Sequence, residues 1–190
     1  MAFTVLLDAN VLYPVTLCDA LLRLAYAGLF QVRWSQEILD EMARNVKENG
    51  PEAGYDSVDR RVHHMKQAFP EAMVVGYEGL IPSMTNDPKD RHVLAAAVTG
   101  RADLIVTSNL RDFPRSACEP YNIDVRGPDD FLCYQWDLEN REFLVSVLER
   151  WASVLYKPPL TLERLLEERL ARSAPEFSAT VLRHIRGLDA

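Results

Sequence analysis

The hydrophobic positions of the first 130 residues predict four to five short strands. Residues 3–7 (FTVLL) are apolar on both faces, which is typical of a strand inside a sheet. Three further stretches have similar character, namely 30–34, 73–75 and the apolar part of DLIVTSN at 103–109, and 123–126 is a candidate edge strand. Each stretch is too short for a helix and is separated from the next by residues of another periodicity.

The segments between these strands have helical periodicity and recognisable start signals. The clearest is QEILDEMARNVKEN, residues 36–49, which follows Ser35, a good N-cap residue. Thr16 to Asp19 has the form of a capping box for a helix that continues to Leu29. Asp87 is predicted to cap a helix with Pro88 in its first turn. Strands that alternate with helices predict an α/β fold with a parallel sheet.

The pattern changes after Gly127-Pro128. Residues 138–156, 162–172 and 177–185 have helical periodicity, and no strand pattern lies between them. We therefore predict two domains, an α/β domain at 1–133 and a helical C-terminal extension at 134–190.

Composition narrows the classes of function. The chain has 190 residues and a net charge of −7, which counts against broad, non-specific binding to nucleic acid. Its three cysteines are widely spaced, which favours a reducing compartment, and we expect a cytoplasmic protein. No apolar run approaches 18 residues and no signal-peptide pattern begins the chain, so we expect neither a membrane span nor secretion.

Acidic residues follow two of the predicted strands. Asp8 ends the first strand, and Thr107, Asn109 and Asp112 follow the strand at 103–106. Functional sites of parallel α/β sheets form at the carboxyl ends of strands. If these two strands are neighbours, Asp8 and Asp112 lie on the same rim of the sheet.

Two predicted helices can add acids to that rim. Glu41 lies at the edge of the apolar stripe of its helix, and Asp90 precedes Val93 and Leu94 on the core-facing side of the next. Alone, each acid has an ordinary explanation as a cap, a turn residue or a solvated side chain. Together they repel, by roughly 3 kcal/mol per pair at about 5 Å and an effective dielectric constant of about 20. A cation would compensate this repulsion, and carboxylate oxygens suit Mg²⁺ or Mn²⁺, the ions of phosphodiester hydrolysis.

The order of these motifs resembles a known family. Asp8-Ala-Asn10, WSQEILDE ending on Glu41, DPKDRHVLAAA containing Asp90, and IVTSNLRDF containing Asp112 resemble the PIN-domain nucleases, in particular the branch that contains VapC-type toxins. The resemblance covers about residues 3–131. It implies a Rossmann-like PIN fold and a ribonuclease that depends on Mg²⁺ or Mn²⁺.

The resemblance also implies roles for individual residues. Four acids would be catalytic and metal-binding: Asp8, Glu41, Asp90 and Asp112. Asn10, Thr107 and Asn109 would support them through hydrogen bonds, whereas Asp87 is expected only to cap a helix. Three arginines are candidates for contacting RNA phosphates, although solvated arginines paired with nearby acids would look the same in sequence: Arg91, Arg111 and Arg115.

Partners follow from the same resemblance. Besides an RNA substrate, we expect an antitoxin protein whose basic residue enters the acidic site, a homo-oligomer such as a dimer, and no membrane. Two other functions remain open at this point. One is a non-catalytic PIN-like protein that binds RNA or a partner. The other is an aspartyl phosphatase of the haloacid dehalogenase type, which the Asp-Ala-Asn stretch fits poorly because that class uses an Asp-x-Asp motif.

Overall fold

A computed structural model describes residues 3–49, 55–155 and 159–188. The chain forms two compact units. The first comprises the described residues up to Tyr13 together with Phe30–Gly127, and the second comprises Pro14–Leu29 and the described residues from Pro128 onward. The boundary between the two units at 127 lies close to the predicted domain boundary at 133. Residues 14–29, however, belong to the helical unit. The two-domain division of the chain at 133 stays a prediction.

A five-stranded parallel sheet forms the centre of the first unit, in the order β3-β2-β1-β4-β5. The strands are β1 (Thr4–Leu7), β2 (Gln31–Ser35), β3 (Met73–Val74), β4 (Leu104–Val106) and β5 (Asp124–Arg126). The central strand β1 is buried along its whole length, because β2 and β4 flank it. The predicted α/β fold is confirmed. The first strand lies beside the strand that precedes Asp112, which is the condition under which the sequence placed Asp8 and Asp112 on one rim.

Five helices accompany the sheet in this unit: α1 (Ala9–Leu12), α3 (Gln36–Asn49), α4 (Tyr55–Ala68), α5 (Arg91–Thr99) and α6 (Arg115–Cys118). The predicted cap of α3 is confirmed, because the Ser35 hydroxyl accepts a hydrogen bond from the Ile38 amide at 3.2 Å. Helix α5 is buried along most of its length, and its run of alanines allows close packing.

The second unit consists of helices α2 (Val15–Tyr26), α7 (Pro128–Leu138), α8 (Arg141–Leu155), α9 (Leu162–Glu168) and α10 (Pro175–Ile185), with a 3₁₀ turn at Leu170–Arg172. The predicted helix at 138–156 is therefore wrong at its start, because α7 ends at Leu138 and α8 begins at Arg141. The sequence reading missed α7, whose first residue is Pro128, a position where the absent N–H costs nothing. No helix in the described residues is long and apolar enough to cross a membrane.

Two predicted helix caps are wrong. Helix α2 begins at Val15, directly after Pro14, so Thr16 lies inside its first turn instead of capping it. Helix α5 begins at Arg91 with Asp90 as its N-cap residue. The Asp87 carboxylate instead accepts the amide of Lys89 at 3.0 Å, which stabilises a turn before the helix.

Candidate active site

Asp8 lies at the carboxyl end of β1 and is 2% exposed. One carboxylate oxygen, Oδ1, accepts the backbone amide of Ala9 at 2.7 Å. The other, Oδ2, accepts the hydroxyl of Thr107 at 2.7 Å and the side-chain amide of Asn10 at 2.6 Å. Three short hydrogen bonds hold this carboxylate in one orientation, as a buried charged group requires.

Asn10 and Thr107 join the ends of β1 and β4. The Asn10 side-chain oxygen accepts the backbone amide of Ser108 at 2.9 Å, and its nitrogen lies 2.9 Å from the Thr107 hydroxyl. That hydroxyl also accepts the backbone amide of Asn109 at 3.0 Å. The structure thus brings Asn10 and Thr107 to Asp8, whereas Asn109 takes part through its backbone and has an exposed side chain.

The pKa of Asp8 is raised above its ordinary value, chiefly because burial removes water from the charged form. The hydrogen bonds from Thr107 and Ala9 oppose this rise. The negative charge of Glu41 adds to it, and the charge of His92 opposes it. Glu41 therefore lies within electrostatic reach of Asp8, as the sequence predicted.

Asp90 has a different environment. As the N-cap residue of α5 it makes no side-chain capping hydrogen bond, and no hydrogen bond to its carboxylate occurs among the described residues. Its pKa is raised to about 6, first by partial burial and then by the negative charges of Asp8 and Asp112, with a smaller contribution from Asp87. The charge of His92 lowers it in part. Asp8 and Asp112 are thus close enough to Asp90 to disfavour its ionisation.

Asp112 ends a 3₁₀ turn at Leu110–Asp112, beyond β4. Its backbone carbonyl accepts the amide of Asp87 at 3.1 Å. This hydrogen bond joins the loop after β4 to the loop before α5, so that Asp112 and Asp90 face the same region of the first unit.

Glu41 lies on α3 with a side chain that is 36% exposed. Its Oε2 atom is 3.7 Å from Nε2 of His92, a buried residue in the first turn of α5. Sequence reasoning missed His92. A usable signal was the run VLAAA that follows it, because a helix this rich in alanine is buried on most sides, and a histidine in its first turn is then buried with it.

The three arginines predicted to contact RNA have different surroundings. Arg91 is half-buried, and its Nε donates to the backbone oxygen of Asn86 at 3.3 Å. Arg111 is exposed in the turn that carries Asp112. Arg115 is also exposed, and it pairs with Glu119 at 3.1 Å one helical turn away. Of these three arginines, Arg111 is therefore the one least engaged in contacts within the protein.

The donor atoms suit a hydrated divalent ion better than a dehydrated one. In the described part of the chain, no three side chains of His, Cys, Asp or Glu converge closely enough to form a ready-made metal cage. Mg²⁺ usually keeps several waters and takes only one or two protein carboxylates, with substrate phosphates completing its shell. The mutual repulsion that raises the pKa of Asp90 is the condition that such an ion would relieve.

Comparison with known proteins identifies the family of this chain. The model of the PIN domain matches residues 4–111, which is more than half of the chain. The chain belongs to the PIN-domain family. A second model, the VapC50 C-terminal domain, matches residues 128–183. The predicted membership of this family, with a C-terminal extension, is thereby confirmed.

One curated relative is a protein of Mycobacterium tuberculosis named "Putative ribonuclease VapC50". The two sequences are 45% identical over 112 residues, which cover 59% of this chain and 65% of the relative. The match therefore spans slightly less than two thirds of the relative's length. No solved structure matches the chain.

Proposed function

We propose that the protein is an endoribonuclease that requires Mg²⁺ or Mn²⁺ and hydrolyses phosphodiester bonds of RNA. The observation that carries this proposal is the acidic site itself, where the charges of Asp8 and Asp112 help to raise the pKa of Asp90 to about 6. Like charges gathered in this way are costly to the fold and favour a bound cation. Membership of the PIN family and the name of the relative from M. tuberculosis support the same activity.

In this proposal Asp8, Asp90 and Asp112 hold the ion directly or through water, and Glu41 binds it or orients the attacking water. The bound ion would supply a nucleophilic water at neutral pH and would stabilise the negative charge of the leaving oxygen. Thr107 and Asn10 hold the Asp8 carboxylate in place through the hydrogen bonds described above, and the bond from Thr107 opposes part of the rise in its pKa. The partly exposed Glu41 lies where solvent and substrate can reach it.

The RNA backbone would be held by few positive charges. Arg111 and Arg91 are the candidates to contact phosphates next to the site, and Arg115 would have to release Glu119 first. The net charge of −7 counts against broad, non-specific attraction of RNA, so binding would depend on the ion and on this short stretch.

We further propose that the protein is the toxin of a type II toxin–antitoxin pair. The C-terminal match to the VapC50 C-terminal domain supports this role, since it extends the likeness beyond the catalytic unit. An antitoxin would silence the enzyme by placing a basic side chain among the four acids. A homodimer and a cytoplasmic location belong to the same proposal.

The decisive experiment compares RNA cleavage by the wild type and by Asp8→Asn in Mn²⁺ buffer. We expect the substitution to lower the rate at least about a hundredfold, because the ion loses a charged ligand. Asp137→Asn, which removes an exposed carboxylate of α7, is the matched control and should cleave normally. Equal cleavage by Asp8→Asn and wild type, in preparations free of contaminating nuclease, would refute the proposal.

A further inference from the structure

His92 presents its two ring nitrogens to different surroundings. Nδ1 lies 2.9 Å from the backbone oxygen of Lys89. A carbonyl oxygen can only accept a hydrogen bond, so Nδ1 must carry a proton. This bond fixes the ring plane at the start of α5 and leaves Nε2 as the nitrogen whose lone pair is available in the neutral ring.

The free nitrogen is buried and faces the acidic site. Nε2 of His92 has no hydrogen-bond partner among the described residues, and the residue is 7% exposed. The atom it faces is Oε2 of Glu41, at 3.7 Å, which is too far for a direct hydrogen bond. In the neutral ring both atoms are acceptors, so the buried Nε2 atom needs a positively charged or donating group on the side that faces the partly exposed Glu41.

The separation of these two atoms fits two ligands of one ion. Two atoms that each lie about 2.1 Å from a shared cation are between roughly 3.0 and 4.2 Å apart, depending on the angle at the ion. The observed 3.7 Å falls inside this range. Asp90 lies two residues before His92 in the chain, and Asp8 lies within electrostatic reach of Glu41.

We propose that His92 is a nitrogen ligand of the divalent ion, which it binds through Nε2 together with Glu41. This inference rests on the proposed function of the acidic site and specifies which ion the site prefers. Imidazole nitrogen is a good ligand for transition metals, whereas Mg²⁺ takes oxygen ligands. A site that contains His92 therefore favours Mn²⁺ over Mg²⁺.

The test uses a variant that removes Nε2 and keeps the bond made by Nδ1. In His92→Asn, the shorter side-chain amide can still donate to the Lys89 carbonyl, but no atom reaches the position of Nε2. His64→Asn, an exposed histidine of α4, is the matched control. If His92→Asn does not fold, His92→Gln replaces it, because its longer amide fills the same space and can offer an oxygen in place of the ring nitrogen.

Two measurements on the full chain decide the matter. Electron spin echo spectroscopy of bound Mn²⁺ should show coupling to a directly bound nitrogen in the wild type and in His64→Asn, and none in the His92 variants. Calorimetry should show that His92→Asn binds Mn²⁺ at least about tenfold more weakly. Its affinity for Mg²⁺ should change by no more than about twofold, because Mg²⁺ uses oxygen ligands.

The outcomes separate this inference from the proposed function. Wild type that binds Mn²⁺ without nitrogen coupling would overturn the role of His92 and leave the acidic metal site standing. Equal losses of Mn²⁺ and Mg²⁺ affinity in His92→Asn would also overturn it, since His92 would then act only by supporting Glu41. Wild type that binds neither ion would refute the metal site as a whole.

Discussion

At the end of β1 both oxygens of the Asp8 carboxylate accept hydrogen bonds, whereas the Asp90 carboxylate at the start of α5 accepts none from the described residues. Burial is the first cause of the raised pKa at both positions, but only Asp8 has hydrogen bonds that oppose it. The Asp8 side of the site is therefore complete within the fold, whereas at the Asp90 side the repulsion is only partly offset, by the charge of His92. A bound cation would therefore stabilise the folded protein most beside Asp90.

Removing the hydroxyl of Thr107 should cause the largest loss of stability at the Asp8 side of the site. Thr107→Val leaves the buried Asp8 with one fewer donor and leaves the Asn109 amide without its acceptor. We expect the free energy of unfolding to fall by about 1–3 kcal/mol, the cost of orphaned buried groups. Urea unfolding measures this change. Thr107→Ser keeps the hydroxyl and should recover most of the loss; if Ser and Val behave alike, the hydrogen bonds are not what stabilises this side.

Truncating Asn10 should have a smaller effect, because its side chain is only half-buried. Asn10→Ala removes a donor to Asp8 and the acceptor of the Ser108 amide, and we expect a loss of about 1 kcal/mol in the same unfolding measurement. Asn109→Ala is the matched control, because that residue joins the network through its backbone. An equal loss in Asn109→Ala would contradict the distinction drawn between the two side chains.

Removing the charge of Asp90 should change the free energy of unfolding in the opposite direction. Its pKa of about 6 in the fold lies above the ordinary 3.8, so in metal-free protein a penalty for ionising Asp90 develops as the pH rises from about 3.8 to 6 and is complete above that. Asp90→Asn should therefore raise the free energy of unfolding at pH 8, by less than about 1 kcal/mol because the carboxyl is partly hydrated. The gain should vanish below about pH 3, where Asp90 is protonated in both the folded and the unfolded state. Thermal unfolding at pH 8 and below about pH 3 checks this, and a gain of equal size at both pH values would contradict it.

The sequence predicted the arrangement around Asp8 better than the arrangement around Asp90. A buried apolar run ends on Asp8 and a second one ends at Thr107, and a parallel sheet places such strand ends at the same rim. The pattern therefore predicted the rim, and the structure supplied the adjacency of the two strands. Helix starts depend on competing local hydrogen bonds. Asp87 has the residue type of a cap, but its side chain forms a turn with Lys89 and the helix begins after Asp90.

The position of His92 beside the acidic site was not predicted from the sequence. Its importance depends on which neighbour each ring nitrogen meets. The Lys89 carbonyl is local, three residues before His92, whereas Glu41 comes from α3 and meets His92 only in the folded first unit. Spacing rules for metal-binding histidines look for pairs along one element and do not detect a single histidine that meets an acid from another helix. Helix α7 was missed for a different reason, since Gly127-Pro128 has the composition of a break and Pro128 is the first residue of that helix.

The proposed activity depends above all on a cation that relieves the repulsion at Asp90. Calorimetric titration of Mn²⁺ into metal-free wild type and Asp90→Asn at pH 7.5, with Asp137→Asn as the charge-matched control, tests this directly. We predict saturable binding to the wild type and the control, with at least about tenfold weaker binding to Asp90→Asn, because a charged ligand is lost. Wild type that takes up no Mn²⁺, or Asp90→Asn that binds it as tightly as the wild type, would contradict the account.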